Sequence, residues 1–124
     1  MFDHLTITAR DYEISRMFYQ TTLAALNMKP LYTIENQVTG YGIDRPRFWI
    51  GAADEKHLAS ANVHIAFACD NRGLVDAFYA AAIAAGATDN GAPGLRPEYH
   101  ENYYGAFVID PDGHNIEAVC HNAV

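Results

Sequence analysis

The chain repeats itself. Residues 3–28, "DHLTITARDYEISRMFYQTTLAALNM", align without a gap on residues 63–88, "VHIAFACDNRGLVDAFYAAAIAAGAT", at a constant offset of 60. Under that offset His4 falls on His64, Phe18-Tyr19 on Phe78-Tyr79 and Ala24-Ala25 on Ala84-Ala85. Self-similarity of this kind restricts a chain to copies of one supersecondary unit, each needing a neighbour to bury its apolar face. Each copy opens on a short alternating segment that reads as a strand, then runs for about 15 residues with helical apolar spacing. Asp11 and Asn71 stand where helix N-caps belong, and Gly86 stands where the second helix should stop.

Short strand-like pieces follow each helix. They are "KPLYTIEN", "TGYGID" and "RFWIGA" in the first half, then the Gly/Pro-rich "TDNGAPGLRPEYHENYYG", "AFVID" and "NIEAVCH" in the second. The expected fold is therefore α+β, with two β-α-β-β-β modules. Module one spans 1–52, a polar connector 53–62, and module two 63–124. A half of about 55 residues builds a stable core only with difficulty, so the 124 residues are expected to form one domain. The expected arrangement is an open, curved sheet of eight strands around one cavity, with the helices outside. The edges of such a sheet need covering, which favours a homodimer.

Side chains alternate across a strand, so parity assigns faces. Leu5 and Ile7, then Val63, Ile65 and Phe67, then Ile116, Ala118 and Cys120 belong under the helices. That leaves His4, Thr6 and Thr8, His64 and Ala66, and Asn115, Glu117, Val119 and His121 on the concave face. His4, His64 and Glu117 thus share one face, each on the first or last strand of a module. Two imidazoles and a carboxylate suit a divalent transition metal (Zn, Fe, Mn or Ni) and leave coordination positions open for substrate or water. A strand histidine is often only a hydrogen-bonded core residue, whereas an inward carboxylate requires a partner. For Glu117 the alternatives to a metal are Arg47, Arg96 or a protonated histidine.

The net charge of −7 disfavours nucleic acid or an anionic membrane as a partner. No apolar run approaches the roughly 20 residues of a spanning helix, and "MFDHLTITARD" lacks the apolar core of a signal peptide. Cys69 and Cys120 form no motif and are expected as buried thiols. A cytoplasmic protein acting on a small molecule is the resulting expectation. Asp110, Asp112 and Glu117 lack the spacing of a calcium loop.

The opening "DHLTITARDYEISRMFY", the duplicated module, "NVHIAFACDN" and above all "FVIDPDGHNIEAV" resemble the glyoxalase/bleomycin resistance protein/dioxygenase group, the vicinal oxygen chelate superfamily. The resemblance implies metal ligands on the first and last strand of each module, and His4, His64 and Glu117 match three of these positions. At the fourth, "RFWIGA" offers Trp49, or Gly51 under a slightly shifted alignment, where lactoylglutathione lyases carry a carboxylate. The resemblance therefore points away from a typical glyoxalase I and towards three-ligand relatives, the extradiol dioxygenases and fosfomycin-modifying transferases. Bleomycin-resistance relatives supply the alternative of a metal-free protein that sequesters a drug or aromatic metabolite, and the resemblance allows each module to pair within the chain or with a second copy.

The loop "GLRPEYHENYYG" (94–105) is an insertion relative to module one. Tyr99 and His100 are candidate acid/base residues in a substrate lid, with Arg96, Tyr103 and Trp49 as candidate substrate contacts. His121 is a candidate partner for the ligand set. His114, in the turn, is expected to face solvent, and His57 is assigned no role.

Overall fold

The protein is described here by a computed structural model covering residues 1–124. Module one contains β1 (Leu5–Ala9), α1 (Tyr12–Ala24), β2 (Lys29–Ile34), β3 (Val38–Gly42) and β4 (Pro46–Ala52). Module two contains β5 (His64–Ala68), α2 (Arg72–Ala84), β6 (Thr88–Leu95), β7 (Tyr104–Ile109) and β8 (Asn115–Cys120). The two helices are displaced by the 60 residues of the sequence repeat. Their starts are chemically alike: the Asp11 side chain accepts from the Ile14 N–H, and that of Asn71 from the Leu74 N–H. Each helix gives way to a left-handed residue, Asn27 at φ 62° and Gly86 at φ 101°.

The strands form two four-stranded sheets, ordered β1-β4-β3-β2 and β5-β8-β7-β6. In each, the first strand runs parallel to the last and the remaining pairs are antiparallel. The last strand of each module is central, whereas the first lies at an edge. The single eight-stranded sheet expected from sequence is therefore divided within one chain. Part of the reason is local: the connector occupies the free side of β1, where Ser60 N–H donates to Thr8 O at 2.8 Å and Thr8 N–H donates to Ser60 Oγ at 2.9 Å. The outermost strands, β2 and β6, carry Pro30 and Pro93, which cannot donate to a further ladder.

One core of 19 buried residues draws on both modules. Tyr19 and Phe48 meet at a tilt of 56° with ring centres 4.9 Å apart, and Phe48 meets Phe67 of β5 edge-on at 5.3 Å. The helices touch each other, so they share this core instead of lying outside a continuous sheet. Small residues dominate α2 ("RGLVDAFYAAAIA"), which permits the close approach. The faces of β1 and β5 that bear Thr6, His64, Ala66 and Ala68 consequently turn outward.

Candidate metal centre

The turn before β8 is built by its own acid. Asp110 N–H donates to His114 O, Gly113 N–H donates to Asp110 O, and Gly113 takes φ 88°, which a side chain would strain. Asp110 Oδ1 accepts the N–H groups of Asp112 and His114, while Oδ2 accepts the Tyr19 hydroxyl of α1. Burial, then the adjacent Asp110 carboxylate, holds the Tyr19 hydroxyl well above the ordinary tyrosine range. The expectation for His114 is corrected here: it is fully buried, because its Nδ1 accepts the Val63 N–H at the entry to β5.

From this fixed turn β8 runs between β5 and β7, alternating Ile116 and Ala118 into the core with Asn115 and Glu117 on the opposite face. Glu117 stands opposite Ala66 of β5 and Phe107 of β7 and is only 2% exposed. Neither Arg47 nor Arg96 reaches it. Its Oε1 lies 3.2 Å from His64 Nε2, and its Oε2 accepts the Tyr103 hydroxyl. Burial, then Glu117, pushes the ionisation of that hydroxyl above the ordinary tyrosine range.

The tautomer of His64 follows from its other nitrogen. Nδ1 lies 3.0 Å from Asn115 O, a carbonyl that can only accept, so Nδ1 carries the hydrogen. Nε2 and a carboxylate oxygen then face each other, and either a proton or a cation must lie between two lone pairs. Metal-bound histidines commonly have this arrangement, the distal N–H held by a carbonyl and the ligating carboxylate steadied through its second oxygen. Two ligands at about 2.1 Å from one metal and about 90° apart are separated by about 3.0 Å, close to the 3.2 Å seen. The donor set fits a divalent metal.

His64, Tyr99, Tyr103, Phe107, Asn115 and Glu117 line a cavity of about 380 Å³. Phe107 stacks over His64 with ring centres 6.4 Å apart and is steadied from behind by the Arg96 guanidinium at 5.4 Å. Tyr99, 61% exposed, packs edge-on against Tyr103 at 4.8 Å. His100 lies outside this lining: its Nδ1 accepts the Asn102 N–H and its Nε2 meets His121 Nδ1 at 2.8 Å. His121 therefore touches His100 and Tyr103 instead of Glu117. Arg96 contacts the cavity only through Phe107, its Nη2 donating to Ala92 O. Phe107 was missed from sequence, although the alternation of "AFVID" places it beside Glu117.

His4 is not gathered with the other two candidate ligands. No group of three or more His, Cys, Asp or Glu side chains that could hold a metal forms within the chain. His4 precedes β1, exposed, with Nδ1 at 2.8 Å from Asp3 Oδ1, which leaves Nε2 free. Strand register settles the fourth position. Ala66 pairs with Glu117, and its repeat partner Thr6 pairs with Trp49, so Trp49 and not Gly51 is the counterpart of Glu117. The indole lies across Gly40, where a Cβ would come within 2.8 Å of the ring, and meets Tyr32 at 5.8 Å. Trp49 therefore belongs to module one's outward face. A second cavity of about 500 Å³ on this module includes Thr6, Thr8, Gly51 and His57, with His57 Nδ1 3.1 Å from Asp54 Oδ1.

The family model of the Glyoxalase/Bleomycin resistance protein/Dioxygenase superfamily matches residues 1–118. The chain belongs to this superfamily. A glyoxalase/bleomycin resistance protein from Albidiferax ferrireducens is similar at 30% identity and TM-score 0.84, covering 97% of this chain and 98% of that one. Two further solved structures share the fold. A lactoylglutathione lyase from Agrobacterium tumefaciens has TM-score 0.69 and 17% identity over 97% of this chain and 92% of its own. A fosfomycin resistance protein from Mesorhizobium loti has TM-score 0.68 and 19% identity over 98% and 92%. No protein in the curated set matches the sequence significantly. No helix is long and apolar enough to cross a membrane.

Proposed function

We propose that this superfamily member is a divalent-metal-dependent enzyme of lyase, dioxygenase or transferase type acting on a small oxygen-bearing substrate. The observation that carries this reading is the convergence of His64 Nε2 and Glu117 Oε1 at 3.2 Å with the outer atoms of both side chains already engaged. A bound Zn, Fe, Mn or Ni would supply Lewis-acid chemistry to substrate oxygens. Around it the chain contributes an aromatic wall of Phe107 and Tyr103, and the Tyr99 hydroxyl as the proton-transferring group that the loop offers to the cavity.

The third ligand in this proposal is His4 from a second copy of the chain, in a homodimer. Two observations support that assembly: the candidate ligand pair lies on an outward-turned sheet face, and His4 keeps Nε2 free just before the corresponding strand of module one. Module one's outward face, with Trp49 and Thr6, would then close the cavity over the substrate. A cytoplasmic setting is part of the same proposal.

The test is the metal content of protein purified without chelator, for the wild type and for Glu117→Ala. About one metal per chain in the wild type, lost in the variant, supports the reading; substoichiometric metal in both refutes it. His4→Ala should weaken metal binding and abolish any activity that depends on the dimer. A second reading has its own observation: Glu117 already has hydrogen-bond partners without a metal, and the cavity walls are aromatic. Under it the chain sequesters a drug or aromatic metabolite. Tight aromatic-ligand binding that survives chelation and His4→Ala would favour it.

A further inference from the structure

We infer that His100 and His121 are positioning residues, a hydrogen-bonded imidazole pair that clamps Tyr103 in place and thereby decides which oxygen of Glu117 is left facing His64.

His100 comes from the loop between β6 and β7, and His121 follows β8 directly, so their contact ties the loop to the strand that carries Glu117. The direction of the bond is fixed. The Asn102 N–H donates to His100 Nδ1 at 3.1 Å, so the ring hydrogen of a neutral His100 sits on Nε2 and donates to His121 Nδ1 at 2.8 Å. The rings lie nearly parallel, 23° apart with centres separated by 5.0 Å. Tyr103 meets both edge-on, at 5.6 Å from His100 and 5.2 Å from His121, and Tyr99 adds a contact at 4.8 Å.

Apart from these ring contacts, the phenol is held by its hydroxyl's hydrogen bond to Glu117 Oε2. The loop's own backbone bonds, such as Arg96 N–H to Tyr103 O at 2.8 Å, fix the main chain and not the ring. The ring position matters because its hydroxyl takes Glu117 Oε2 and leaves Oε1 facing His64. A tyrosine free to rotate away would release Oε2 and loosen the aim of Oε1 at His64. The effect on metal rests on the metal-centre reading above; the clamp on Tyr103 does not.

The experiment therefore uses two readouts. The first is the Cζ resonance of Tyr103 in metal-free protein labelled with ¹³C-tyrosine, assigned with Tyr103→Phe. The second is the affinity for Co²⁺. His121→Ala and His100→Ala should move the Tyr103 resonance towards that of an exposed tyrosine and weaken Co²⁺ binding about tenfold. His121→Asn keeps an acceptor near Nδ1 and His100→Gln a donor near Nε2, so each should hold the Tyr103 resonance closer to that of the wild type than the corresponding alanine variant does. In a Tyr103→Phe background, His121→Ala should add no further loss. A Tyr103 resonance unmoved by both alanine variants, or moved equally by the Asn and Gln variants, overturns the inference. If the wild type takes up no Co²⁺ while Tyr103 responds as expected, the metal reading fails and the positioning role stands.

Discussion

At the scale of the residue, Glu117 concentrates the chemistry. A carboxylate buried to 2% exposure needs partners on both oxygens, and the fold supplies a phenol on one side and an imidazole on the other. Glu117→Gln keeps the shape but removes the anionic ligand, so metal affinity should fall about a hundredfold or more while circular dichroism stays that of the wild type. Calorimetric titration of both proteins checks this. Cys69 offers a simpler test. Burial, then the neighbouring Cys120, raises its thiol to about 11, so the native protein should label with a thiol reagent far more slowly than the unfolded chain at about pH 8. Equal labelling rates in native buffer and in denaturant would refute this.

Among elements, the repeat was the legible part. Equal spacing, matched N-caps and the turn before β8 gave two β-α-β-β-β modules because each signal is local: a side chain reaching a nearby N–H, a glycine at positive φ, an apolar period. Strand parity likewise placed His64 and Glu117 on one face, since alternation follows from backbone geometry. Contacts between distant segments were not legible. Nothing near His114 announces that Val63 will draw its ring beneath β5, and no period links His100 to His121. How the sheets divide depends in part on what covers the β1 edge, where Ser60 of the connector bonds Thr8. Two predictions belong here. Asp11→Ala and Asn71→Ala should each cost about 1 kcal/mol in urea denaturation, and additively, because the caps serve separate helices. Tyr19→Phe should cost about 1–3 kcal/mol, because it strips a donor from buried Asp110 and loosens the turn that aims β8.

For the whole molecule, burial sets the alkaline limit. Tyr19, Tyr41 and Cys69 all have their ionisation pushed upward by burial, and the folded state holds their protons when the unfolded chain has begun to release them. Stability from these groups is complete below about pH 9 and should fall as pH rises beyond it, which urea midpoints at about pH 8 and about pH 10.5 would show. A midpoint unchanged between the two would contradict that sign. Two outward-turned sheet faces, one with the candidate ligand pair and the other preceded by His4, are what motivates the proposed dimer. The central claim remains that His64 and Glu117 hold a divalent metal. Calorimetric titration of chelator-stripped protein with Co²⁺, for the wild type, His64→Ala and Glu117→Gln, tests it most directly. One Co²⁺ per chain in the wild type, with affinity lost by about a hundredfold or more in each variant, is the predicted result; wild-type binding that neither substitution weakens, or no binding at all, would contradict it.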